Sequence, residues 1–420
     1  MTRTIKTLLL VVLPLTTWAQ QDSLWNKFPV FFDSPFRTVK ANSMVAIEGN
    51  YFIDASTANN ALLWKLGLQD DLSKELIDEN AGRVKAKNMI GIDSRFSLTY
   101  YNLNKAFMKH DSLHYLIRYG VIDHAGASYS DDFFRLIGQG NAVFEGDTAN
   151  GNGLVFKRAR FDYIDFGLIK FFPNRSNLSV AVGIARGMRM IDMDGRRFSV
   201  YTAPYGTSTD WDIDLTARLT PGDHQGLASV NGMGMQISAE YKGLLGADGA
   251  YAVGVRNLGF IAWKGSEYTK TDKFTYDGWD VPDFGTFQDP DAGRNSYDSI
   301  ASEFQPDSTG FKSTEMLPGY IYGEYSMRLM GKQSLTFRFD KVLNTPMVPR
   351  VSVGYTYFFG NFYGTSSVMT GGYSSFNITQ EVGFQKGKHF VKAKFYGIQA
   401  WATPHKSGGM GGGLGYTYSF

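Results

Sequence analysis

The last eleven residues constrain this chain most. Met410, Gly412, Leu414, Tyr416, Tyr418 and Phe420 fall on one face of an extended strand. Gly411, Gly413, Gly415, Thr417 and Ser419 fall on the other. Successive strand side chains point to opposite faces, so one face is apolar and aromatic and the other small and polar. A lipid-facing stripe backed by a lumen stripe accounts for both faces. The soluble alternative is an edge strand of a sandwich, where an uncovered aromatic face is a liability.

The same period recurs upstream. Leu178, Val180, Val182 and Ile184 oppose Ser179, Ala181, Gly183 and Ala185. Trp211, Ile213, Leu215, Ala217 and Leu219 oppose Asp210, Asp212, Asp214, Thr216 and Arg218. Met233, Met235, Ile237, Ala239 and Tyr241 oppose Gly234, Gln236, Ser238, Glu240 and Lys242. Val351, Val353, Tyr355, Tyr357 and Phe359 oppose Ser352, Gly354, Thr356 and Phe358. Val391, Ala393 and Phe395 oppose Lys392 and Lys394. One such segment is weak evidence and a series is strong. Many have Tyr, Phe or Trp near an end, where an aromatic girdle meets lipid head groups.

Composition agrees. Aromatic residues make up 15%, with 24 Tyr and 32 Phe, and Gly reaches 47, yet mean hydropathy is slightly negative. No apolar run approaches the ~20 residues of a membrane helix. Lys+Arg number 42 against 40 Asp+Glu, a formal charge of +2, which gives no support to nucleic-acid binding. Cysteine is absent, which removes disulfides, thiolate nucleophiles and Cys-based metal sites. The fold class expected is all-β, a transmembrane antiparallel barrel of 12–16 strands, with about 14 the best count.

The start reads as a secretory signal. Arg3 and Lys6 precede the apolar run Thr7 to Leu15, and Thr17 and Ala19 place small residues before a cut at Gln20. The expected organisation is a signal over 1–19 and one barrel over 20–420, in the outer membrane. With the last strand directed to the periplasm, the short turns Gln385–His389, Gly360-Asn361 and Gly331–Gln333 share the periplasmic side. Ala402–Gly409, Gly371–Ser374, Asn344–Arg350 and the longest connection, 277–318, alternate outside. Asp277–Glu315 carries nine acids and two bases with Pro282, Pro290 and Pro306, and reads as an exposed acidic loop. Helical patterns occur over 59–83 and 131–138, placed in the lumen, at its mouth or on the periplasmic rim.

Sites of chemistry are few. Asp210, Asp212 and Asp214, with Arg218, are expected to line a polar lumen as a charge ladder. Like charges ~7 Å apart on a strand are too far for a shared proton. Lys392 and Lys394, with Lys157, Arg158 and Arg160, read as a basic lumen wall, either paired with acids or favouring anions. Asp192-Met193-Asp194-Gly195 resembles part of a calcium loop, but an Asp-Gly turn explains it better. His110 and His114 have helical spacing without an HExxH motif. No GxSxG elbow marks a nucleophile, and Gly408–Gly413 lacks the Lys-Ser/Thr of a phosphate loop. Catalytic residues, metals and cofactors are therefore expected to be none, and the chain is not expected to be an enzyme.

Several segments together resemble an uncharacterised family of outer-membrane barrels, a domain of unknown function from bacteria with type IX secretion. They are Asp132–Gly138 with Gly140-Asn141, Gly232-Met233-Gly234-Met235, Leu258-Gly259-Phe260-Ile261-Ala262-Trp263, Leu317-Pro318-Gly319, and the terminal Gly-rich strand. Leu414, Tyr416, Tyr418 and Phe420 resemble the signal by which such barrels are recognised for insertion. More distantly, the architecture is similar to long-chain fatty-acid transporter barrels. The resemblance implies lipid and the insertion machinery as partners, and carries no catalytic residue. It implies a passive channel or transporter for small hydrophobic or amphipathic solutes, or alternatively a non-transporting scaffold or partner of surface-protein secretion or attachment.

Overall fold

Alternating segments become strands, and their pairing closes a ring. The computed structural model describes residues 43–68, 71–103, 113–172, 176–221, 230–246, 248–277, 307–329 and 332–420. Strand β1 (Ser43–Ala55) pairs with β2 (Asn88–Asn102), and β2 with β3 (Leu113–Tyr129). After the short β4 (Thr148–Asn150), β5 (Leu154–Phe171) joins β3 to β6 (Asn177–Thr202). Next, β7 (Ser208–Leu219) and β8 (Gly232–Leu245) share one position, both lying between β6 and β9 (Gly249–Asp277). Likewise β10 (Asp307–Met316) and β11 (Tyr320–Arg328) share the position beyond β9. A meander follows: β12 (Gln333–Val342), β13 (Val348–Phe359), β14 (Phe362–Gly372), β15 (Ser374–Lys386), β16 (His389–Tyr396) and β17 (Met410–Ser419). Antiparallel pairing of β17 with β1 closes a barrel of 14 strand positions.

Both ends of the ring lie on one rim, as an even number of positions requires. The links 172–176, 246–248, 329–332, 360–361 and 387–388 lie on that terminal rim. The links 56–87, 130–153, 203–207, 343–347 and 397–409 lie on the opposite rim, while the chain passes from Asn102 of β2 to Leu113 of β3 on the terminal rim. The turns Gln385–His389 and Gly360-Asn361, and the links Ala402–Gly409, Gly371–Ser374 and Asn344–Arg350, fall on the two rims as expected. The acidic stretch is not loop throughout: β9 runs to Asp277 and Asp307–Met316 is strand β10, while 278–306 lie outside the described residues. The signal segment 1–19, Ser23–Lys40, His110 and Gly331 also lie outside them. Asp192–Gly195 sits inside β6 and forms no turn, because its backbone is paired on both sides.

The strands have unequal reach. Spanning a bilayer takes ~9–11 residues, whereas β6 has 26 and β9 has 29. Their upper halves pair with β7 and β10 and project beyond the ring on the rim opposite the termini. Helix α3 (Asp131–Gln139), capped by the Ser130 hydroxyl, covers one face of this projection. Leu136 packs there with Val200, Trp211 and Ile213.

The 59–83 pattern forms two helices, α1 (Asn60–Leu68) and α2 (Lys74–Ala81), the second capped by the Ser73 side chain. They do not plug the lumen. Leu62, Leu63 and Leu76 pack on Ile53, Ile92 and Met410, which share the outward face with exposed Ile47, Phe96 and Leu414. The pair therefore sits against the outer wall at the far rim, with Trp64 and Leu66 exposed.

Glycine makes room for one interior contact. Gly91 and Gly126 face each other across β2–β3, and the Tyr373 ring lies on both. A Cβ at Gly91 would stand 2.1 Å from that ring, and one at Gly126 2.0 Å from its hydroxyl. An aromatic ring over paired glycines restores the packing they lack. Gly126→Val should expel Tyr373 and cost about 1–3 kcal/mol, read as earlier loss of the folded band in heated, semi-native electrophoresis.

Candidate functional site

The candidate site is the lumen. Exposed apolar residues identify the other face: Ile47, Phe96, Ile117, Ile164, Val182, Phe337, Val353 and Leu414 are all exposed and alternate with buried or half-buried neighbours. Such a belt is stable only against lipid, where a closed ring satisfies its own backbone. Among the described residues no helix is long and apolar enough to cross a membrane. Crossing falls to the strands.

Inside, charged side chains cross the ring. Arg95 binds Asp93 with two nitrogens at 2.7 and 2.8 Å. Its guanidinium stands 5.2 Å from the centre of the Tyr320 ring. Since Arg95 is on β2 and Tyr320 on β11, six positions away in the ring, this contact spans the interior. Arg338 meets Glu324 at 2.9 Å and the Tyr320 hydroxyl at 2.7 Å, and stands over Tyr322 at 5.3 Å. Arg350 binds Asp340 at 2.8 Å and reaches the Phe52 ring on β1 at 5.7 Å. Glu240 takes Lys242 at 2.9 Å and the Tyr322 hydroxyl at 2.7 Å, and also contacts Arg256. Charge removed from water must be paired in this way, since an unpaired buried ion is strongly unfavourable.

A second chain runs through His124. Its Nδ1 lies 2.8 Å from Asp93 and its Nε2 3.0 Å from the Tyr373 hydroxyl. With Nδ1–H donating to the carboxylate, Nε2 accepts from Tyr373. The link ties the β14–β15 turn to the opposite wall. Beside it lies a cavity of about 30 Å³, lined by His124, Lys157, Met190, Trp263, Leu317 and Asn344. That holds at most about one water.

The sequence-derived candidates distribute unevenly. Lys392 and Lys394 face the interior, opposite exposed Val391 and Phe395; Lys392 meets Glu48 at 2.7 Å and Lys394 lies 4.9 Å from the Tyr396 ring. Lys157 also faces in, 3.6 Å from Asp192. Arg158 and Arg160 do not join that wall. They share the parity of exposed Ile164 and point outward. Asp210, Asp212 and Asp214 occupy the inner side of the projection, beyond the ring, because period two fixes a face and not a height. Asp210 accepts from Thr275 at 2.7 Å and Asp214 meets Arg196 at 2.9 Å. Lys273 at 2.8 Å, with Arg197, holds the Asp212 carboxyl below its usual range. Arg218 stands at the mouth with Glu267 and Glu315, at 2.6 and 3.5 Å. Leu414, Tyr416 and Tyr418 lie along β17, with Phe420 after it; Leu414 is the most exposed at 70%. Among the described residues no group of three His, Asp or Glu is placed to hold a metal.

The sequence reading missed Asp93, Arg95, His124, Tyr320, Arg338 and Arg350. A signal was present in Asp93-Ser94-Arg95-Phe96-Ser97-Leu98, where charged and small residues alternate with apolar ones.

A closed 14-position barrel with an apolar belt and a charged, side-chain-filled interior defines a membrane β-barrel. The chain belongs to the DUF5723 family, a family of unknown function, whose profile matches residues 50–392. No curated protein sequence matches it. Among solved structures, a TodX deltaS2S3 mutant monoaromatic hydrocarbon channel is similar at 6% identity and TM-score 0.48, covering 91% of each chain. The Pseudomonas putida toluene transporter TodX gives 8% identity, TM-score 0.45 and 91% of each chain. A Pseudomonas aeruginosa FadL homologue gives 9%, 0.44, and 93% of this chain with 95% of the other. Likeness at this level carries neither substrate nor mechanism across.

Arg95→Met leaves the Asp93 carboxylate without its guanidinium and should destabilise the barrel by about 3–5 kcal/mol. Combining it with Asp93→Asn should recover part of that loss. Urea titration of the detergent-refolded barrel, followed by tryptophan fluorescence, measures both.

Proposed function

We propose that this chain is an outer-membrane barrel that offers small amphipathic or hydrophobic solutes a passive route, held shut in the conformation described. The observation that carries the reading is how the lumen is closed. Side chains bridge it, above all Arg95 with Tyr320 and Arg350 with Phe52. Such side chains can rotate aside without breaking one bond of the backbone ladder, and a ring of fourteen strands leaves space once they do. The bridge is also amphipathic, with Tyr320, Tyr322 and Phe52 rings interleaved with Arg338 and Arg350. Solutes with an apolar body and a polar end match such a lining.

A second reading, a scaffold for surface-protein secretion or attachment, is favoured by the projecting sheet. It rises beyond the ring on β6 and β9, with β10 along one edge. The catalytic alternative asks for a Ser–His contact at the rim. Among the described residues the histidine side-chain hydrogen bonds run to Asp93, Tyr373, Tyr416 and Glu79.

Planar-bilayer recording tests the lumen route. Tyr320→Ala/Phe52→Ala removes the crossing rings while leaving the ion pairs of Asp93, Glu324 and Asp340 in place. The double variant should show stepwise conductance well above the native chain. Deletion of 60–81 should not, since those helices lie outside the lumen. A folded double variant as silent as the native chain would count against passage through the ring and favour the scaffold.

A further inference from the structure

The α1–α2 hairpin covers the top of the apolar belt at the seam that closes the ring. Outward residues of β1 run from exposed Ile47 and Tyr51 to buried Ile53 and Ala55. On β17 they run from exposed Leu414 to half-buried Met410, and on β2 from exposed Leu98 and Phe96 to half-buried Ile92 and Ile90. Leu62, Leu63 and Leu76 of the hairpin pack over these upper residues. Polar contacts tie the hairpin across the seam. The Asn60 amide donates to the Ser407 carbonyl at 2.9 Å, just ahead of β17. Arg83 donates to the carbonyls of His405 and Lys406 at 2.7 and 2.9 Å, and Glu79 meets His405 at 3.0 Å.

The outer surface of this cover is itself divided. Helix α1 exposes Trp64 and Leu66, at 50% and 44%, while α2 exposes Lys74, Glu75, Asp78 and Glu79. The second is a face for water. The first continues the belt: the Trp64 indole donates to the Met410 sulfur, and Met410 shares the outward face of β17 with Leu414. Height agrees. From Met44 to Ile53 a strand tilted by about 40° climbs roughly 23 Å, nearly the ~25 Å of an apolar band. Ile53, and α1 over it, therefore stand where acyl chains give way to head groups. Trp is favoured at that depth, and amphipathic helices lie there with their apolar face in the lipid. Trp401, 60% exposed in the link that leads to β17, stands on the same rim.

We propose that α1 is a lipid-contacting helix: Trp64 and Leu66 enter the head-group boundary of the leaflet opposite the terminal rim, and the bilayer presses the hairpin onto the β1–β17 seam. Lipid is the partner, in place of a second copy or a soluble protein, because the exposed pair is continuous through Met410 with a belt that lipid already covers. The inference rests on the barrel's crossing a bilayer and holds whether or not the lumen conducts.

The chain has no cysteine, so one nitroxide on Leu66→Cys reports this site alone in the full barrel, reconstituted in phosphatidylcholine–phosphatidylglycerol vesicles. Power-saturation EPR compares its collisions with oxygen, which concentrates in hydrocarbon, and with a water-soluble nickel chelate. Oxygen should exceed nickel severalfold, as for a label on Leu414→Cys and the reverse of one on Glu75→Cys. Nickel access equal to that of the Glu75→Cys label overturns the proposal. Protection from both reagents also overturns it, and points to a second copy or a protein partner. If the labelled variant fails to fold, brominated acyl chains serve instead. They should quench a smaller fraction of tryptophan emission in Trp64→Phe than in the native chain, and an unchanged fraction overturns the contact. Trp64→Ser/Leu66→Ser should sharpen the spectrum of a label on Glu75→Cys. An unaltered line shape in the folded protein overturns the pressing of the hairpin onto the seam.

Discussion

The rest of the structure depends on the hydrogen-bond ladder between β17 and β1. In hydrocarbon no water can take up an unpaired amide, so a sheet that crosses must have no edge. Ten residues of β17 pair with Met44–Ile53 on one side while eight residues of β16 hold the other. Closure sets an even number of positions and brings both ends to one rim. It also restricts where chain can be added. The additions occur as links at the rims, as extensions of β6 and β9, or inside one ring position, as between β7 and β8. There the ladder resumes in the same direction, with Asn231 donating to Gly187 and Lys264 donating to Asn231.

A ring with an apolar outside has to resolve the opposite problem within. Its inner face carries Asp93, Glu240, Asp340, Arg95, Arg338 and Arg350, largely removed from water. Pairs of this kind are poor sources of net stability, because desolvation offsets most of the attraction. Their persistence in the interior fits specificity and function better than strength. Each arginine here does two things: it neutralises a carboxylate on its own or a neighbouring strand, and it lays its flat face on an aromatic ring. For Arg95 and Arg350 that ring belongs to a distant strand. Bonds along the wall hold each arginine in place, and the weaker cation–π contacts close the lumen.

Much of this was legible because a β-barrel writes its geometry at period two. The alternations at Leu178–Ala185, Met233–Lys242, Val351–Phe359, Val391–Phe395 and Met410–Ser419 each became strand with the expected faces. The turns at 360–361 and 387–388 and the links at 343–347 and 397–409 sorted by rim because turn length and parity are local properties. What was not legible needed partners. Nothing in Trp211–Leu219 shows that Trp211 and Ile213 would be covered by α3 in place of lipid, because height above the ring is set by register with β6 and β9. The two helices of 59–83 carry an apolar face, but the sequence does not say whether it meets a lumen or an outer wall. Ile53, Ile92 and Met410, which settle it, come from three separated strands.

The arginines of β5 show where a readable signal was passed over. Composition alone groups Lys157 with Arg158 and Arg160, although adjacent residues on a strand cannot share a face. Counting by two from Phe166 through Ile164 puts Arg160 and Arg158 outside, and Lys157 falls inside with Asp192. The β6 side was beyond such counting. Met188 is an extra residue in the ladder, and past it the inward parity changes from odd to even, so Met190 packs inside and Arg189 turns out. A bulge of one residue thereby converts what uninterrupted alternation would have made an inward-facing arginine into an outward one. The outward placement of Arg189 is thus a product of register as much as of sequence, and deleting Met188 would remove the bulge while leaving Arg189 opposite Arg160 on the outer face.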